Sequence, residues 1–274
     1  MTGDSVSDRP GATGSGTEAE TATNAPAESG GDPLLTVEDV SQSFGDVEVL
    51  DGLSFDVERG SVVCVVGSNG SGKTTALRVV AGLLAPDGGE VRIASDSERP
   101  VGYLPQTPAF HPQFTVAETL TFYGRLAGTG VDVDAKLSTV GLQSVPDRRA
   151  GALSGGMTRL LGIAQATIGD PPLLVLDEPS SGLDPAMVEH ISSVIGRIAD
   201  DGSAVLLATH NIGAVYQMAD RVLVLDDGHV VAAGSPDDLI DETGTETLDA
   251  ALADLIERSG AGGAVSVASG GDEA

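Results

Sequence analysis

The run Val62-Val63-Cys64-Val65-Val66 passes without a polar residue into Gly67-Ser68-Asn69-Gly70-Ser71-Gly72-Lys73-Thr74, and a helical pattern follows to about Leu83. Few architectures accept that succession. A segment apolar at every position fits a strand covered on both faces, the condition of a strand inside a parallel sheet. The glycines after it let successive backbone N–H groups turn inward, and a helix start adds the positive end of its dipole. The eight residues fit the P-loop pattern, in the strand-before and helix-after context that lifts such a match above coincidence. The expected ligand is a nucleoside triphosphate. Lys73 would reach its β- and γ-phosphates and Thr74 would ligate Mg²⁺, with Gly67, Ser68, Asn69, Gly70, Ser71, Gly72 and Thr75 lining the site.

Two later runs share the buried-strand character, Leu173-Leu174-Val175-Leu176 and Val205-Leu206-Leu207-Ala208, and each ends in polar residues. Chemistry gathered at the carboxyl ends of parallel strands is how α/β sites are built. The first of these runs is followed by Asp177-Glu178 and matches a Walker B strand. Asp177 there can hold Mg²⁺ through water, and Glu178 can polarise the attacking water. A helix N-terminal acid pair, stabilised by the dipole alone, is the alternative, and the P-loop upstream argues against it.

Before the P-loop, Leu34 to Val40 and Val47 to Val57 read as antiparallel strands, with turn signals at Phe44-Gly45-Asp46 and Arg59-Gly60-Ser61. From about Thr107 to Gly169 strand signals give way to helix-length segments, notably Val116 to Leu126 and Met157 to Thr167, which predicts an inserted helical subdomain. Residues 220 to 234 read as a strand pair with Asp226-Asp227-Gly228-His229 as the hairpin turn. A last helix is expected from about Glu246 to Ser259, and the Gly/Ala/Ser stretch after it should fray. The predicted organisation is a disordered tail over 1–33, an ATPase domain over 34–240 with its helical subdomain at about 107–169, and a C-terminal helix and tail over 241–274.

Charge narrows the partners. The chain of 274 residues carries 41 Asp and Glu against 14 Lys and Arg, a formal charge of -27, and its only lysines are Lys73 and Lys136. A nucleic-acid partner is disfavoured, because little cationic charge is present to neutralise phosphates. The acids are spread along the chain, which reads as adaptation to high salt, where counterions screen self-repulsion. The single cysteine, Cys64, sits in an apolar strand and fits a reducing cytoplasm. Residues 1–33 lack the hydrophobic segment of a signal peptide, and no apolar run approaches the roughly 18 residues of a membrane-spanning helix. A membrane role would be borrowed from a partner.

Leu153-Ser154-Gly155-Gly156-Met157 separates this chain from other P-loop proteins, because it resembles the signature sequence of the ABC ATPase family. It stands 23 residues ahead of Asp177, just before a helix. Physically, a Ser hydroxyl, Gly amides and a helix N-terminus make a second anion site. The resemblance implies a RecA-like P-loop core with an antiparallel β subdomain and an inserted helical subdomain. It also implies a head-to-tail homodimer, or a pair with a similar subunit, in which Ser154, Gly155 and Gly156 of one chain close on the ATP held by the other.

Further positions carry over one at a time. Phe44 occupies the place of the aromatic that stacks on adenine, with a core Phe as the alternative. Gln106 matches the loop glutamine that approaches Mg²⁺ and the attacking water. Ser181-Gly182-Leu183-Asp184 resembles the loop that crosses to the other subunit, and His210 resembles the histidine that senses the γ-phosphate. Met157 departs from the usual Gln and offers no useful hydrogen bond. A Met there is similar to exporter ATPases of the ABC-2 type.

The function implied is the ATP-hydrolysing subunit of an ABC transporter, peripheral on the inner membrane face through a separate permease. A soluble relative acting on ribosomes or DNA would carry paired cassettes or a long coiled-coil insertion, and neither is present. A module that binds ATP without hydrolysing it is opposed by Glu178 and His210.

Overall fold

The computed structural model describes residues 32–260. The tail expected at 1–33 lies outside them except for its last two residues, as does the final Gly/Ala/Ser stretch. A six-stranded sheet has the order β5-β6-β7-β3-β8-β9, formed by Val101–Leu104, Leu173–Asp177, Ala204–Ala208, Val62–Val66, Arg221–Asp226 and His229–Gly234. Its first five strands are parallel, and β9 returns antiparallel to β8 through the expected hairpin. Beside it lies an antiparallel sheet of β2 (Val47–Val57), β1 (Leu35–Phe44) and β4 (Gly88–Ile93).

The uniformly apolar strands divide their side chains between two cores. Val62, Cys64 and Val66 of β3 face one, and Val63 and Val65 face the other, as the two-residue period of a strand requires. The same alternation splits Leu174 and Leu176 from Leu173 and Val175 on β6, and Val205 and Leu207 from Leu206 on β7. One core holds α1 (Lys73–Val80) and the small sheet. The other holds α2 (Val116–Leu126), α4 (Gly155–Ala166), α5 (Pro185–Asp200) and α8 (Leu248–Gly260). Each such Val or Leu contributes roughly 1.5–3 kcal/mol by burial, so a charge at Leu176, on the interior strand β6, would cost the fold most of its margin.

The segment after β5 carries α2, α3 (Val133–Val140) and α4 with no strand among them, in line with the helical reading of that region. Thr115 and Glu118 cap α2 reciprocally. The last helix lies where it is expected, at α8, but a further helix precedes it. Residues 236–260 form two helices, α7 (Pro236–Thr243) and α8, because Ser235 and Asp238 build a capping box on Pro236 and Gly244 ends the first helix in a left-handed turn. The helix expected from about Met157 also begins earlier, at Gly155, with Ser154 as its cap. No helix among the described residues is long and apolar enough to cross a membrane.

Candidate active site

The carboxyl ends of β5, β6, β7 and β3 deliver Gln106, Asp177-Glu178, His210 and the P-loop to one edge of the sheet. At β3 the chain leaves Val66 into Gly67, whose φ is 154°; a Cβ there would sit 1.9 Å from the Leu225 carbonyl oxygen. Only glycine lets the loop pass so close to β8. Gly72 caps α1 in the left-handed region, and no side chain accepts from the first N–H groups of that helix. By contrast α2, α3, α4, α5 and α7 are all capped by side chains, at Thr115, Asp132, Ser154, Asp184 and Ser235. The donors at the start of α1 are therefore left for an anionic ligand.

The Lys73 ammonium lies across the loop, donating to the carbonyls of Gly67 at 3.0 Å and Ser68 at 2.7 Å. Burial pulls its pKa down, and the carboxylates of Glu178 and Asp177 pull the other way. The Thr74 hydroxyl donates to Asp177 Oδ1 at 3.1 Å. Asp177 is 1% exposed, and burial raises its pKa against the lowering effect of the Thr74 bond. Its other oxygen, Oδ2, is buried without a protein partner.

A hydroxyl and a carboxylate with a spare buried oxygen suit Mg²⁺, which takes hard oxygen donors, few of them from protein. Among the described residues no group of three or more His, Cys, Asp or Glu could hold a metal ion.

Glu178 adopts φ 51°, unusual for a residue with a side chain, while its N–H donates to Ala208 O at 3.0 Å. That turn brings its carboxylate, on a residue only 8% exposed, to His210: Nδ1 stands 2.9 Å from Oε2. The contact is one of close approach, because no well-angled hydrogen bond reaches Oε2. Backbone held in a sparse region beside an orphaned carboxylate oxygen is the kind of arrangement found where chemistry is done.

Other candidates lie apart from this cluster. Ser154 caps α4 by accepting from the Met157 N–H, while Gly155 and Gly156 face Leu183 and Met187 at the start of α5. Gln106 is exposed in the loop after β5. Asp184 spends its carboxylate capping α5. Phe44 ends β1 with 53% of its surface exposed, which removes the core alternative for that ring. Met157 differs from expectation in one respect: the Arg148 guanidinium comes 3.5 Å from its sulfur, a weak acceptor after all.

Two groups escaped the sequence reading. The hairpin glycine Gly228 donates to Ser71 O at 3.2 Å and accepts from the Asp51 N–H at 3.3 Å, bracing the P-loop against β2. Arg159 of α4 lies within electrostatic reach of both Asp177 and Glu178. Its signal was present, since it is the only charged residue in GGMTRLLGIAQA.

Fold and site define a nucleotide-hydrolysing P-loop ATPase with a RecA-like core, a small antiparallel sheet and a helical insertion. A family model described as ABC transporter matches residues 50–181. The Nod factor export ATP-binding protein I of Ralstonia nicotianae is 35% identical over 258 residues, covering 84% of this chain and 80% of that protein. An uncharacterized ABC transporter ATP-binding protein of Bacillus subtilis is 34% identical over 232 residues, covering 82% and 78%. Among solved structures, an ATP-binding subunit of an ABC transporter superposes with a TM-score of 0.72 at 28% identity, over 81% of this chain and 99% of the other. The chain belongs to the family of ABC transporter ATP-binding subunits. It binds nucleotide, and it is an ATPase that energises a membrane permease.

Proposed function

We propose that this chain hydrolyses Mg-ATP in a head-to-tail homodimer, or paired with a similar subunit, and powers an ABC-2 type exporter from the inner face of the membrane. The observation that carries the catalytic half is the meeting of Glu178 and His210 at 2.9 Å beside the Thr74–Asp177 pair. Glu178 accepts a proton from the attacking water and holds that water in line. His210 orients Glu178 and stabilises the transferring group, and Lys73 neutralises the β- and γ-phosphates.

Thr74, Asp177 and Gln106 would hold Mg²⁺, which when bound draws charge from the phosphate oxygens. Gly67 to Thr75 wrap the phosphates with backbone N–H groups, and Phe44, exposed at the end of its strand, stacks on adenine. Ser154, Gly155 and Gly156 close the partner's site from the N-terminus of α4. The working unit is residues 34–240, with the helical subdomain at about 107–169 receiving the permease near Gln106. Export is supported by the relatives named for Nod factor export and by the Met at position 157.

The test is Glu178→Gln. Steady-state phosphate release should fall by about 10²- to 10⁴-fold while ATP binding persists. Unchanged hydrolysis in that variant would remove the assignment of the base.

A further inference from the structure

Helix α4 begins with the Ser154-Gly155-Gly156 run, and two features hold it against the nucleotide site of its own subunit. At Gly162 it presses on the segment that carries Gln106: an added Cβ would come within 2.5 Å of Leu104 Cδ1 and 3.4 Å of Pro108 Cβ. One turn earlier, the Arg159 guanidinium donates through Nη1 to the Pro105 carbonyl at 3.5 Å, at the base of the same loop. Arg159 is half-buried and carries the only charge on α4. Burial alone would discourage a guanidinium there, and the carboxylates of Glu178 and Asp177 offset that cost. At its first turn α4 also meets α5, with Gly156 against the Met187 side chain. The helix thus touches the Gln106 loop along its length and the start of α5 at its N-terminal end.

We propose that Arg159 is a positioning residue, tying the Ser154 end of α4 to the Gln106 loop of the same subunit. The inference rests on the proposed reading of the site, in which Ser154 serves the partner's nucleotide. Its consequence is that occupancy of one site sets how the same subunit presents Ser154 to the other. Nη1 serves the Pro105 carbonyl while the positive charge lies in the field of the two carboxylates, so the charge itself carries the task.

The experiment compares Arg159→Gln and Arg159→Lys with the unaltered chain, measuring kcat and KM for ATP and the shape of the rate against ATP concentration. Arg159→Gln should lose about 10- to 100-fold in kcat, the scale of one charged hydrogen-bonded contact, with KM within about threefold. Its dependence on ATP should lose sigmoid character, and Arg159→Lys, which keeps the charge, should recover most of kcat. Wild-type turnover in Arg159→Gln, or Arg159→Lys as slow as Arg159→Gln, overturns the proposal. Glu178→Gln run alongside separates the two levels: if it too turns over normally, the reading of the site itself has failed, whatever the Arg159 variants do.

Discussion

Gly228 offers the sharpest test of how the P-loop is held. Its φ is 85°, and a Cβ added there would lie 2.8 Å from the Val49 carbonyl oxygen and 3.2 Å from Leu50 Cα, both backbone atoms of β2. Gly228→Ala therefore meets two costs. The left-handed conformation costs an alanine roughly 1–2 kcal/mol, and forcing β2 and the hairpin apart costs about 1–3 kcal/mol more. The separation also strains the Gly228–Ser71 hydrogen bond, which reaches the P-loop directly, and the Asp51–Gly228 bond, which joins the hairpin to β2. Gly82→Ala is the matched control, because Gly82 has φ 68° and nothing within 4 Å of the added Cβ, so it meets only the first cost. Urea unfolding should give a loss of about 2–5 kcal/mol for Gly228→Ala against about 1–2 for Gly82→Ala. ATP titration should weaken about 5- to 30-fold in the first variant and stay unchanged in the second. Equal losses in the two variants, or unaltered ATP affinity in Gly228→Ala, would refute the claim that the hairpin braces the loop.

Thr74→Ala removes the hydroxyl bound to Asp177, and the Mg²⁺ concentration for half-maximal ATPase should rise at least about 10-fold; an unshifted magnesium titration would count against Thr74 as a ligand. Cys64 is fully buried, and burial, helped by Asp220, pushes its thiol pKa up, so a thiol reagent should leave the native chain untouched and label it fully in denaturant. With a net charge of -27, thermal stability should climb as KCl rises from dilute buffer to about 1 M, where the screening length shortens to about 3 Å, and a flat or falling Tm would dismiss the high-salt reading.

Local pattern revealed the elements that are locally determined. The β3 run, apolar on both faces, and the glycines after it could be placed without reference to the rest of the chain. Strand β4, GGEVRI, is half-exposed and opens with two glycines, and β5 has four residues, so neither rises above loop composition. Helix α7 carries a local start signal, Ser235-Pro236 followed by Asp238, but it buries only Pro236 and Leu239 and so lacks an apolar stripe. Arg159 stands out as the lone charge on α4, yet its task is not legible locally. Its role depends on which carboxylates lie across α4, and no spacing rule within the helix carries that information.

Strand order explains why the convergence of these motifs on one site is not legible from their spacing along the chain. Strand β7, late in the chain, inserts between β3 and β6, so the P-loop strand and the Asp177 strand are second neighbours, about 9–10 Å apart at roughly 4.8 Å per strand. A direct contact between the two strand ends is impossible at that distance. Helix α1 closes the gap by packing back over β6 and β7, which carries Thr74 to 3.1 Å from Asp177. The strand in the gap is the one that delivers His210, so the histidine emerges between the phosphate loop and the acidic pair and meets Glu178. Had β7 been placed at the sheet's edge, the same motifs in the same order along the chain would not converge.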